Sequence, residues 1–197
     1  DDILVTNGAM EALNLCLSAT CRPGDAVAVE SPCFYACLQA LERLGLRAIE
    51  VATDPREGID LAALEKVIVR HKPAACWVMT NFQNPLGSAM PEAKKRALVE
   101  LATRHRLPLI EDDVYQELYF NRQRPVPTKA FEREGWVLHC SSFSKPLAPG
   151  YRVGWVAPGR FAARVAQHKL TLSLATALPV QLALARYLER GSYERHL

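Results

Sequence analysis

The stretch WVLHCSSFSKPLAPGYRVGWVA, residues 136–157, sets two apolar runs on either side of a polar segment with a single lysine, Lys145. The runs, WVLHCS and RVGWVA, have the length and bulky apolar character of buried strands. Between them stand Ser141, Ser142 and Ser144, then Lys145, then a turn carrying Pro146, Pro149 and Gly150. Such a lysine is either an ordinary solvated loop residue or an amine held at a strand end, ready to react. The segments around it must decide.

Outward from this stretch, strand and helix patterns alternate. AVAVE (26–30), RAIEVA (47–52), AACWVMT (74–80) and LPLIED (107–112) read as strands. GAMEALNLCLSAT (8–20), FYACLQALERLG (34–45) and DLAALEKVIVRH (60–71) place apolar residues at helical spacing. Gly45 suits a helix end and Asp60 an N-cap. PEAKKRALVELATRH (91–105) is expected to begin with Pro91 in its first turn. Residues 159–190 read as mostly helical, with a kink or break at Pro179. Strands separated by helices of this length imply β-α-β units. The expected fold is α/β: a mostly parallel sheet sandwiched by helices in three layers, as a single domain over residues 1–197. In such sheets ligands bind beyond the carboxyl ends of the strands. TNFQNPLG, EDDVY and SSFSK each follow a strand in that way.

Composition narrows the function classes. Net charge is +3 with both signs well mixed, too mild to predict nucleic-acid binding by this segment. Nearly half the residues are hydrophobic, yet no apolar run reaches the roughly 18 residues of a membrane span. The six cysteines form no C-x-x-C pair and no zinc-like spacing with histidine, so free thiols in a reducing cytoplasm are expected and no metal is. Cys33 and Cys37 are four apart, which on a helix would put them on one face. The sequence begins without methionine and stops right after a long helical pattern, which reads as a domain cut from a longer polypeptide.

Four segments carry chemistry. In TNGAMEAL, a glycine turn opens a helix, and the N–H groups of Gly8, Ala9 and Met10 are suited to an anion. In NFQNPLG, Asn84 precedes Pro85 and is pushed toward an extended conformation that points its amide into a cleft. In EDDVYQEL, carboxylates at the end of a buried run are costly unless they meet a partner. Asp112 suits a protonated ring nitrogen, with Tyr115 three residues on; a helix-capping role for Asp112 or Asp113 is the plain alternative. In SSFSK, Lys145 is of the type that forms imines with aldehydes, and Ser142, Ser144 and Arg152 suit a phosphate. One ligand would use them all: a pyridinium aldehyde with a phosphate tail, which is pyridoxal 5′-phosphate. Phe34 or Tyr35 would stack on its ring.

TNGAMEAL, NPLG, DDVY, SFSK and YRVGW, in this order, resemble the large domain of the class I/II aminotransferases, the fold-type-I pyridoxal-phosphate proteins, over essentially the whole chain. The resemblance implies that Lys145 forms the imine, Asp112 faces the pyridinium, and Asn84 and Tyr115 hold the ring hydroxyl. It makes Arg152 a phosphate ligand and Phe34, two residues after Pro32, the stacking aromatic. Lys145, expected to be buried beside positive charge, would move the proton of an amino-acid or 2-oxo-acid ligand. The fuller stretches 29–65 and 81–105 look more like MocR-type regulators, in which a GntR-like DNA-binding domain is fused to an aminotransferase-like domain. That implies a homodimeric transcriptional regulator that contacts DNA only through a domain outside this chain. A freestanding aminotransferase is the alternative reading, and a lyase or C–C bond enzyme on the same fold is a third. The smaller C-terminal domain, with its arginine for the substrate carboxylate, would lie beyond Leu197.

Overall fold

Strand alternation and helix caps account for most of the architecture in the computed structural model, which describes residues 3–120 and 122–197. The strands are β1 (Leu4–Thr6), β2 (Ala26–Ser31), β3 (Arg47–Asp54), β4 (Gly58–Ile59), β5 (Ala75–Val78), β6 (Leu109–Asp112), β7 (Val137–Ser142) and β8 (Gly154–Ala157). The helices are α1 (Ala9–Thr20), α2 (Tyr35–Arg43), α3 (Leu61–His71), α4 (Glu92–His105), α5 (Ala162–Ser173), α6 (Leu178–Glu189) and α7 (Ser192–His196). Among the described residues these strands form one sheet, ordered β1-β8-β7-β6-β5-β2-β3-β4. The ladders from β3 through β2, β5 and β6 to β7 are all parallel. Both edges are antiparallel: β8 and β1 at one, β4 at the other. The sheet is thus mostly parallel, as expected, with antiparallel margins.

Period-2 alternation divides the core in two. Trp77, Ile110 and Leu138 pack with Leu13 and Leu17 of α1, Leu41 of α2 and Val165 of α5. Their strand neighbours Cys76, Leu109 and Val137 pack on the other face with Leu64 and Ile68 of α3 and Leu98 of α4. The result is three layers. The same alternation places the ends of β6: Asp112 shares the Ile110 face, under α1, and Glu111 shares the Leu109 face.

Helix boundaries follow local chemistry. Asp60 caps α3, its Oδ1 accepting from the N–H groups of Ala62 at 2.8 Å and Ala63 at 3.0 Å. Asp60→Ala should cost about 1 kcal/mol, read as a melting temperature roughly 2–4 °C lower. Gly45 follows α2 with φ 66°, the left-handed conformation that ends a helix. Three expectations are corrected in detail. Pro91 is the N-cap of α4 and stands one residue before its first turn. The break in the last helical stretch comes at residues 174–177, with Pro179 already in the first turn of α6, where its missing N–H is harmless. Cys33 lies ahead of α2, so Cys33 and Cys37 do not share a helix face. All six cysteines are free thiols. Among the described residues no helix is long and apolar enough to cross a membrane.

Candidate functional site

The parallel strands β2, β5, β6 and β7 end at the same edge, and a cavity of about 350 Å³ opens there on the α1 face. The residues expected around an anion, Ala9, Met10, Ser142, Ser144 and Arg152, line it. So do those expected around an aromatic ring, Phe34, Asn84, Asp112 and Tyr115, and so does Lys145. Gly8, expected beside them, is not among the lining residues: it is the N-cap in the turn that opens α1, and its N–H is taken by Thr6 O and so is not open to an anion.

That turn is built by close approach. The Gly8 N–H donates to Thr6 O at 2.9 Å, and Gly8 takes φ 80°. A Cβ at position 8 would lie too close to Arg152 Nη2 and would be strained at this φ, so glycine lets the guanidinium lie against the turn. Arg152, exposed and itself at φ 52°, folds back over the Pro149 turn. Its Nη1 donates to Ser144 Oγ at 3.1 Å and to Pro149 O at 3.3 Å. The Ser144 N–H donates to Ser142 Oγ at 3.4 Å. Cationic fork, hydroxyls and helix-start N–H groups thus share one wall of the cavity, a set of donors of the kind that suits an anion.

The groups expected around an aromatic ring have their own geometry. Asn84 Nδ2 lies 3.4 Å from Tyr115 Oη, and Lys145 Nζ sits 5.6 Å from the Tyr115 ring centroid. Phe34 packs edge-on to Tyr35, with centroids 4.9 Å apart, and both border the cavity. Asp112 is 2% exposed and its Oδ1 has no hydrogen-bond partner. Burial pushes its pKa up to about 7, against the Trp77 indole and the charge of His139, which pull it down. Lys145 is exposed, so the burial expected for it is not met within this chain.

The neighbours of Asp112 are acids too, and their partners went unnoticed in the sequence. Glu111 accepts from Thr80 Oγ1 at 2.7 Å, Thr128 N at 2.6 Å, Lys129 N at 3.1 Å and the His139 ring at 2.9 Å. Burial works against its charge, but these donors hold its pKa low, and the pair raises that of His139. Asp113 accepts from Asn81 Nδ2 at 3.1 Å, and buried Lys95 donates to Asn81 Oδ1 at 2.6 Å. Asp113 therefore closes this network and is not a helix cap. Glu111, Asp113 and His139 bring ligand-type atoms within 4.8 Å of one another. Both oxygens of Glu111 already take N–H or O–H donors, and Lys95 adds positive charge, so the cluster is a hydrogen-bond network and not a built cation site. Three acids in a buried run was the signal that partners had to exist. The other cavity-lining residues, Leu13, Met79, Val114 and Pro149, have no such signal.

The residues present fit pyridoxal 5′-phosphate on two structural grounds: a buried carboxylate with an unpartnered oxygen, Asp112, lines a ring-sized cavity, and the Gly8 turn, lacking a Cβ, leaves room for the arginine to lie against it. Fold and site together define an aminotransferase-like domain of the fold-type-I kind. The sequence matches the family described as aminotransferase class I and II over residues 1–191, and the chain belongs to that family. Across its full length it is 55% identical to YdcR of Escherichia coli (strain K12), an HTH-type transcriptional regulator described as uncharacterized, and covers 42% of that protein. It is 32% identical to aromatic-amino-acid aminotransferase 1 of Thermococcus litoralis, covering 48% of it. Kynurenine aminotransferase of Pyrococcus horikoshii, solved in complex with PMP, superposes with a TM-score of 0.90 at 34% identity, over 99% of this chain and 50% of that one. The chain thus spans about half or less of the length of these relatives.

Proposed function

We propose that residues 1–197 form the pyridoxal-phosphate-binding large domain of a cytoplasmic, homodimeric MocR/GntR-type regulator, sensing an amino acid or 2-oxo acid. DNA contact would come from a domain outside this chain. The observation that carries the ligand assignment is that Asp112, buried and with Oδ1 unpartnered, lines the same cavity as Lys145, Ser142, Ser144 and Arg152. High identity to a regulator supports the sensing role. Likeness to aromatic-amino-acid and kynurenine aminotransferases keeps a second reading in place, a freestanding enzyme that moves an amino group between an amino acid and a 2-oxo acid.

Pyridoxal 5′-phosphate, when bound, supplies an aldehyde carbon and an electron-withdrawing ring. The chain does the rest. The Ala9 and Met10 N–H groups, the Ser142 and Ser144 hydroxyls and the Arg152 guanidinium bind the phosphate. Asp112 holds the proton on the ring nitrogen, and the amide of Asn84 and hydroxyl of Tyr115 hold the ring hydroxyl oxygen. Phe34 covers the ring face. Lys145 Nζ would be the amine offered to the aldehyde and the base available to a proton on a substrate Cα.

Borohydride reduction of the protein after addition of pyridoxal 5′-phosphate, followed by peptide mass spectrometry, tests this reading. The adduct should fall on the Lys145 peptide, and Lys145→Ala should abolish it along with the visible absorbance change. An adduct on another lysine, or an unchanged spectrum in Lys145→Ala, would overturn the assignment. A winged-helix segment encoded upstream separates regulator from enzyme. Release of 2-oxo acid from amino acids marks a transaminase, and ammonia or acyl products mark a lyase.

A further inference from the structure

Glu11 stands in the first turn of α1, the helix whose N-terminus forms part of the anion wall. It braces that turn from outside the cavity. Glu11 Oε2 accepts from the Asn7 N–H at 2.6 Å, and its carboxylate also accepts from Asn7 Nδ2 at 3.0 and 3.1 Å. An acid suits a helix N-terminus. It does not suit a second anion bound at the same N-terminus, because the two charges repel through poorly screened protein. The structure holds a compensating charge. Lys169 of α5 is 5% exposed and its Nζ lies 3.1 Å from Glu11 Oε2. Its remaining hydrogen bonds go to Ser173 Oγ at 3.2 Å and Thr176 Oγ1 at 3.3 Å. Thr176 in turn reaches Val5 O in β1, just ahead of the turn, at 3.4 Å. A buried lysine with every proton engaged is thereby tied to the one acid in the first turn of this helix.

We propose that Lys169 is a positioning residue for phosphate binding: its ammonium cancels the Glu11 carboxylate that braces the Gly8 turn, leaving the Ala9 and Met10 N–H groups free to meet a dianion. The inference rests on the reading of the cavity as a pyridoxal 5′-phosphate site. Glu11 supplies the shape of the turn, Lys169 removes the electrostatic penalty of that shape, and neither side chain touches the ligand.

The test compares affinity for pyridoxal 5′-phosphate with affinity for pyridoxal, which lacks the phosphate, by absorbance titration of the purified protein. The ratio isolates the phosphate, because a merely structural defect weakens both ligands alike. Lys169→Met should lower the ratio roughly tenfold. Glu11→Gln keeps an acceptor for Asn7 and removes the charge, so it should hold or raise the ratio. The double variant should return it to within about threefold of wild type, the pattern of coupled neighbours. Should Lys169→Met fail to fold, Glu11→Gln alone still decides: a lowered ratio overturns the inference. So does an unchanged ratio in Lys169→Met. Equal affinity of the wild type for both ligands would instead overturn the cavity reading, and the inference with it.

Discussion

Asp112→Asn should make the ligand-free protein more heat-stable at pH 8 and, at the same time, a poorer binder of pyridoxal 5′-phosphate. The two effects have one cause. Asp112 is 2% exposed with Oδ1 unpartnered, so ionising it in the folded state is unfavourable, and burial lifts its pKa to about 7. The sign follows from proton binding. The unfolded carboxyl releases its proton near its usual value of about 3.9, whereas the folded one keeps it to about 7. The folded state therefore binds more protons between these values, and stability is lost as pH rises through that window. Above about pH 7 the loss is complete, on the order of a few kcal/mol for a group this buried. Glu30, with its own unpartnered oxygen and a pKa pushed by burial up to about 8, adds to the same trend. Asparagine removes the charge and keeps an acceptor oxygen. Its melting temperature should exceed that of wild type by several degrees at pH 8, and the difference should shrink toward zero near pH 4. With ligand present the order reverses, because an amide cannot hold the ring proton in place. Calorimetric melts across this pH range check it. A variant no more stable than wild type at pH 8, with no pH dependence in the difference, would show that Asp112 is not an unpaired buried acid.

The same residue shows what could be read in advance. Asp112 is legible because a carboxylate closing an apolar run needs a partner, and because strand ends of a parallel sheet face the ligand edge. Lys145, Ser142 and Asn84 are legible for the second reason alone. Long elements with clear periods, such as α3 and α4 or β2 and β3, declare themselves. β1 and β4 do not: three and two residues are too few for alternation to register. Nor does RVGWVA carry any mark of direction, so the antiparallel pairing of β8 with β7 could not be read from its side-chain pattern. The hidden part of the site is the part that joins distant residues. Glu11 and Lys169 are 158 positions apart, and Glu111 and His139 are 28 apart across two strands. Each pair consists of ordinary residue types whose meaning exists only once the sheet has brought them together.

Gly154→Ala should be the most damaging single-methyl change near the site. Gly154 opens β8, paired with Thr6 on one side and Ser142 on the other. A Cβ there would stand 2.6 Å from Gly8 C, 2.8 Å from Ala9 N and 2.8 Å from Ser141 O. All three are backbone atoms, so no side chain can swing aside; either the α1 turn or the end of β7 must move. Overpacking of this kind costs about 2–4 kcal/mol, a fall of roughly 5–15 °C in melting temperature for a chain of this size. Function should suffer beyond stability. The displaced atoms include Ala9 N, one of the groups proposed to bind phosphate, and Ser141, whose hydroxyl donates to Asp113 O at 2.8 Å and so ties β7 to the strand end that carries Asp112. At temperatures where the variant is fully folded, its affinity for pyridoxal 5′-phosphate should still drop at least tenfold, since a misplacement on the order of 1 Å disrupts several converging groups at once. Gly150→Ala is the control: an added Cβ there meets nothing within 4 Å, and stability should stay within about 0.5 kcal/mol of wild type. If Gly154→Ala melted and bound ligand like Gly150→Ala, the close contact between the mouth of β8 and the α1 turn would not be what shapes the phosphate end of the cavity.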